Sequence, residues 1–145
     1  MEYQRFGNTV VVRMDGGDDI QENVRLIAEK ENIRLANVSA LGNTKFVTLN
    51  SYDQNVKQFF PNTFEGHYEI AHLNGTINTQ NGKHYSHLHI VIGDMEGRAY
   101  AGHLSKAIVG TTLEMFIHIV DGTVDREDSG EPGGNVLKFL TTTGV

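Results

Sequence analysis

The sequence predicts an α+β fold, strand-rich with one main helix, and three observations lead there. Only one segment repeats its apolar residues at helical spacing. The second half is a succession of β-branched and aromatic runs broken by turn residues, the pattern of consecutive strands. The length of 145 residues suits a single core, so residues 1–145 read as one domain.

From Tyr3 to Met14, the residues Val10, Val11 and Val12 stand among polar neighbours, and β-branched side chains suit a pleated strand, so this is the first strand. After Gly16-Gly17, Asp18 is placed to cap a helix with Gln21 three residues on. Ile20, Val24, Ile27 and Ala28 then recur on one face, giving a helix from Asp19 to Glu31. Arg34 to Leu41 and Lys45 to Tyr52 follow as two strands joined at Gly42-Asn43, a pair that tolerates the positive φ of a tight turn, so a hairpin is expected. Asp53 to Thr63 is polar apart from Val56, Phe59 and Phe60 and contains Pro61, which predicts a loop or short irregular element.

Five strands are predicted next: Phe64 to Leu73, Gly75 to Thr79, His84 to Gly93, Arg98 to His103 and Thr111 to Val120. Asn74-Gly75, Asn81-Gly82 and Asp94 to Gly97 separate them. Ser105 to Gly110 reads as a helical turn, Asp125 to Gly134 as a charged glycine-rich loop, and Val136 to Leu140 as a last edge strand.

Composition narrows the chemistry. With 39% hydrophobic and 21% charged residues the chain is globular in character. It has no cysteine, so any metal must be held by imidazole, carboxylate, backbone oxygen or water, and the seven histidines become the candidates. Met1 to Arg5 carries no signal-like pattern and no stretch approaches the ~18 apolar residues of a membrane span, so a cytoplasmic address without membrane contact is expected. A formal charge of -6 repels polyanions, and the twelve basic residues are scattered, which argues against bare DNA as the partner.

In His84-Tyr85-Ser86-His87-Leu88-His89-Ile90-Val91-Ile92, strand alternation turns Leu88, Ile90 and Ile92 one way and Tyr85, His87, His89 and Val91 the other. Two imidazoles on one side, two residues apart, form a chelating pair. His103 ends the next predicted strand after a short turn, which places it beside them as a third ligand, with Gly102 leaving space. Three neutral imidazoles with one open position suit zinc, and iron, nickel or manganese are also compatible. The plain alternative is that His87 and His89 are half-exposed strand residues bonded to backbone or water. His67, His72, His84 and His118 receive no role.

Glu69 and Glu114 each lie in a predicted strand among apolar neighbours, where burial would raise the carboxyl pKa. Such a group serves as a general acid or base, or as a hydrogen-bond anchor for a loop or subunit contact. Gly130-Glu131-Pro132-Gly133-Gly134 lacks the spacing of a phosphate loop, and no G-x-S-x-G elbow is present. Tyr100 either lines the histidine pocket or packs.

The succession Gly66-His67-Tyr68-Glu69-Ile70, Leu73-Asn74-Gly75-Thr76, His87-Leu88-His89 and Gly102-His103-Leu104 resembles the motifs of the plants-and-prokaryotes conserved (PPC) domain. Ala36 to Gly42, Thr112-Leu113-Glu114 and Asp125-Arg126 resemble its flanking blocks, so the match covers almost the whole chain. The resemblance implies a PPC-like α+β fold, a largely antiparallel, strand-rich sheet packed with one main helix, assembled as a homotrimer. It also implies a provisional DNA-binding label, because plant relatives join this domain to AT-hook arms; no such arm is found here, which makes direct DNA binding doubtful. The domain is similar in fold to acetolactate decarboxylase, a zinc enzyme whose H-x-H pair and further histidine correspond to His87, His89 and His103. Where the family's motif has arginine and phenylalanine, this chain has His67 and Tyr68, which weakens any carboxylate-binding role at that point. The expected function is a regulatory or small-molecule-binding homotrimer with a histidine metal site. The alternative is a zinc-dependent enzyme for a small oxo- or hydroxy-acid, with Glu69 or Glu114 moving a proton.

Overall fold

The computed structural model describes residues 1–131 and 134–139. The elements run β1 (Glu2–Phe6), β2 (Thr9–Asp15), α1 (Ile20–Lys30), β3 (Ala36–Asp53), β4 (Gln58–Gln80), β5 (Lys83–Gly93), β6 (Ala99–Ile119), β7 (Asp125–Asp128) and β8 (Asn135–Lys138). The first six strands form one sheet in the order β1-β2-β6-β3-β4-β5, with every pairing antiparallel. An added pairing of β6 with β5 closes the circuit β3-β4-β5-β6, and β7 and β8 make a separate two-stranded ribbon. The predicted α+β class, an antiparallel sheet with one helix, is the architecture observed. Among the described residues no helix is long and apolar enough to cross a membrane.

Strand alternation builds the core. Val10, Val12 and Met14 of β2 lie opposite Ile117, Met115 and Leu113 of β6, and all six are buried. Ile20, Val24, Ile27 and Ala28, the helical stripe read from the sequence, join them in one cluster with Leu88, Ile90 and Ile92 of β5. Fully burying each larger aliphatic side chain contributes about 1.5–3 kcal/mol before entropy is counted, so this face fixes the register of the strands that carry the site.

The helix cap differs by one residue from expectation. Asp19, not Asp18, is the N-cap, and its carboxylate accepts the Glu22 N–H at 3.1 Å; Asp18 instead accepts the Asp15 N–H at 2.8 Å in the preceding turn. Asp19→Ala is therefore expected to lower stability by about 1 kcal/mol in urea unfolding, the usual cost of losing a cap.

The larger differences concern strand length. The segment Tyr3 to Met14 is two strands, because Gly7 takes φ 59° and turns β1 onto β2. The expected hairpin at Gly42-Asn43 is instead continuous β3, with a bulge at Ala40/Gly42. A methyl at Gly42 would overlap the Thr112 carbonyl and stand 2.7 Å from Leu113 Cα, so this glycine admits β6 at close range. Similarly, β4 runs unbroken through Asn74-Gly75, and β6 runs through the expected helical turn at Ser105 to Gly110.

The expected loop at Asp53 to Thr63 is the tip of the β3–β4 hairpin, with Tyr52 opposite Phe59 and Asn50 opposite Pro61. Pro61 is tolerated there because this half of β4 pairs with β3 alone, leaving its other edge free of ladder bonds. The turns at Asn81-Gly82 and Asp94 to Gly97 stand where expected. Part of the expected loop from Asp125 is strand β7, and β8 begins at Asn135; Pro132, Gly133 and Leu140 lie outside the described residues.

Candidate metal centre

On β5, the buried residues Leu88, Ile90 and Ile92 alternate with His87 and His89, which therefore stand on the side turned from the core. The turn after β5 returns β6 alongside it, and His89 falls directly opposite His103. One nitrogen from each of His87, His89 and His103 can be chosen so that all lie within 4.8 Å of one another. The ring centroids are 5.1, 5.2 and 5.6 Å apart. Gly102, beside His103, lets β3 approach, since a methyl there would stand 3.1 Å from the Asn50 carbonyl oxygen. The three sequence candidates thus converge.

The spacing of one donor pair matches that in a tetrahedral metal site. Nε2 of His87 and Nε2 of His89 are 3.2 Å apart. Two nitrogens bound to one tetrahedral zinc at ~2.0–2.1 Å would be separated by ~3.3–3.4 Å. Among the described residues no carboxylate or backbone group engages the three rings. They open on a pocket of about 450 Å³ whose other walls include Asn50, Ser51, Tyr52, Phe59, Tyr85 and Asn135. Burial, reinforced for His87 by His103, His89 and Arg126 and for His103 by His89, holds both imidazoles below the ordinary histidine pKa. The neutral, ligating form of these two is accordingly favoured near neutral pH.

Glu69 and Glu114 do not share this pocket. Both are exposed, a correction to the burial expected from their apolar neighbours. Ile70 faces inward beside Glu69, and Leu113 and Met115 face inward on either side of Glu114, so alternation turns both carboxylates out. Glu69 meets Nε2 of His67 at 2.8 Å, and Glu114 lines a different groove with Leu41, His72 and Phe116. Tyr100 packs, its ring 4.7 Å from that of Phe64.

His84 is buried enough that both ring nitrogens lack a partner among the described residues, and burial lowers its pKa. Unpartnered buried polar atoms cost stability, so His84→Leu is expected to be neutral or to stabilise by about 1 kcal/mol. With His84, His87 and His103 all held low in the folded state, the unfolded chain binds more protons between their depressed values and the ordinary one near ~6.5. Stability of the metal-free protein should hold above that window and fall as pH drops through it. His84→Leu should flatten the fall, as thermal melts at several pH values will read.

Arg126, Tyr85 and Asn135, none of them given a site role from the sequence, complete the surroundings. Arg126 is only 6% exposed. It donates to the Asn135 carbonyl at 2.7 Å, to Thr76 Oγ1 at 3.2 Å and to Asn78 Oδ1 at 3.1 and 3.3 Å. Its guanidinium carbon lies 4.8 Å from the ring centroid of Tyr85, and Asn135 Nδ2 donates to the Tyr85 hydroxyl at 3.3 Å. The prior signals were the Asp125-Arg126 block and the place of Tyr85 on the strand face that carries His87 and His89.

The sequence model of the Plants and Prokaryotes Conserved (PCC) domain matches residues 1–121. A protein from Bacteroides thetaiotaomicron, provisionally described as DNA-binding, has TM-score 0.92 and 26% identity over 97% of this chain and 98% of that one. A protein from Archaeoglobus fulgidus described as metal-containing has TM-score 0.83 and 26% identity, covering 94% of this chain and 96% of its own. A Staphylococcus aureus protein of unknown function, described as similar to alpha-acetolactate decarboxylase, shares the fold at TM-score 0.55 and 14% identity, over 79% of this chain and 53% of that one. No curated protein matches the chain.

Proposed function

Since the chain belongs to the Plants and Prokaryotes Conserved (PCC) domain family, we propose that it is a homotrimeric, metal-bearing protein of regulation or small-molecule binding, with zinc held by His87, His89 and His103. The observation that carries this reading is the convergence of three imidazoles, from two adjacent strands, within 4.8 Å. The metal-containing description of the Archaeoglobus fulgidus relative supports it. A zinc ion in this donor set supplies Lewis acidity beside a pocket large enough for a small ligand. The chain's own part is to present three imidazoles from adjacent strands and to wall the pocket with Tyr52, Phe59 and Tyr85. Exposed Leu41 and Phe116, diagonal neighbours across β3 and β6 that line one groove, favour assembly through that face.

Metal analysis of protein purified without affinity resin tests the site. The wild type should carry close to one ion per chain, and His87→Ala with His89→Ala should carry almost none. A wild type as metal-poor as the variant would overturn the proposal.

A second reading, a zinc-dependent enzyme for a small oxo- or hydroxy-acid, is favoured by the room in the histidine pocket. Within one chain Glu69 and Glu114 lie outside that pocket, so they do not serve it directly. Turnover of 2-oxo and 2-hydroxy acids by zinc-loaded protein separates enzyme from binding protein. Direct DNA binding is disfavoured by the net charge of -6, because duplex affinity draws on phosphate neutralisation.

A further inference from the structure

The charge around the histidine pocket is unbalanced. Its walls contain no carboxylate among the described residues. Behind Tyr85 lies Arg126, 94% buried by its 6% exposure, and its hydrogen-bond partners are all neutral oxygens. Buried charges are normally paired, because desolvation in a low-dielectric setting is costly. A divalent ion among the three imidazoles adds two further positive charges. The region therefore calls for negative charge that the described residues do not provide.

The pocket also offers the means to hold it. The Tyr85 oxygen accepts from Asn135 Nδ2, while its own proton has no acceptor among the described residues. The Arg126 guanidinium lies over the Tyr85 ring and holds it in place, and Asn50 and Ser51 stand on the same pocket's wall. The remaining wall is aromatic. Tyr52 and Phe59 lie 4.9 Å apart by centroid, and Phe59 lies 6.1 Å from His103. An inorganic anion would leave those rings without a partner, whereas an apolar substituent would cover them.

We propose that the histidine pocket binds a small organic carboxylate with an apolar substituent, the carboxylate toward Tyr85 and the histidines and the substituent against Tyr52 and Phe59. This rests on the metal reading above and adds the ligand class. Arg126 acts here as a positioning residue, holding Tyr85 and Asn135 in place and biasing the pocket toward anions.

Calorimetric titration of zinc-loaded protein tests the inference, with benzoate, benzamide, acetate and inorganic phosphate as probes. Benzoate should bind at least about tenfold tighter than neutral benzamide, and tighter than acetate or phosphate. Tyr85→Phe and Arg126→Gln should each weaken benzoate about tenfold with zinc content unchanged, and Arg126→Lys should restore part of the loss. If Arg126→Gln does not fold, Tyr85→Phe still decides. Equal affinity for benzoate and benzamide overturns the anion preference, and tighter phosphate than benzoate overturns the organic ligand. Either result leaves the metal reading standing when zinc content is one per chain; absence of zinc removes both.

Discussion

Gly75→Ala is expected to destabilise the protein by about 3 kcal/mol, toward the upper end for forcing an atom into a packed interior. A methyl at Gly75 would overlap the His87 carbonyl oxygen and stand 2.8 Å from Leu88 Cα. Both obstacles are backbone of β5, so no side chain can swing aside. Relief requires β5 to move off β4, which strips ladder bonds and displaces the strand that carries His87 and His89. Gly97→Ala supplies the control: Gly97 has φ 79° with nothing near its missing Cβ, so only the cost of left-handed backbone applies, about 1 kcal/mol. Urea unfolding of the two variants should separate them clearly. Equal losses would show that the strand approach at Gly75 is not tight.

Zinc should stabilise the wild type by about 4 kcal/mol when supplied at roughly a thousandfold excess over its Kd, since a ligand for the folded state alone shifts unfolding by mass action. His87→Ala combined with His89→Ala should abolish that gain. Two of the three imidazoles would be gone, and the remaining His103 offers a single donor. The variant should otherwise fold, because His89 is exposed, His87 is half-buried, and neither belongs to the aliphatic core. Denaturant melts with zinc and with chelator, run on both proteins, give the comparison directly. An undiminished zinc effect in the variant would place the ion elsewhere.

The histidine site was readable because its logic is local. Alternation set His87 and His89 apart from Leu88 and Ile90, and the short turn at Asp94 to Gly97 returned His103 to their side. The helix was readable for the same reason, as one stripe of four apolar residues. Strand length was not, because glycine has two uses that look alike in sequence. At Gly7 and Asn81-Gly82 positive φ turns the chain, whereas at Gly42 and Gly75 the absent side chain admits a neighbouring backbone. Telling these apart requires knowing which strands are neighbours.

The same distinction accounts for the site residues that sequence reasoning missed or misplaced. Glu69 and Glu114 sit among apolar residues along the chain, but the outward phase of their strands exposes them. Arg126 lies fifty residues from Thr76 and forty-eight from Asn78, so its burial depends on β7 docking against β4. Nothing local in Asp125-Arg126-Glu127-Asp128 announces a guanidinium enclosed by neutral oxygens. Tyr85 was on the correct side of its strand, yet its partnership with Asn135 is set by the β7–β8 ribbon.

The most direct test is an anomalous diffraction map, recorded above the zinc absorption edge from crystals of protein that never met an affinity resin. One peak at ~2.0–2.1 Å from a ring nitrogen of each of His87, His89 and His103 is the predicted result. A map without density among those rings, despite zinc in the crystallisation medium, would contradict the metal site and the ligand class built upon it.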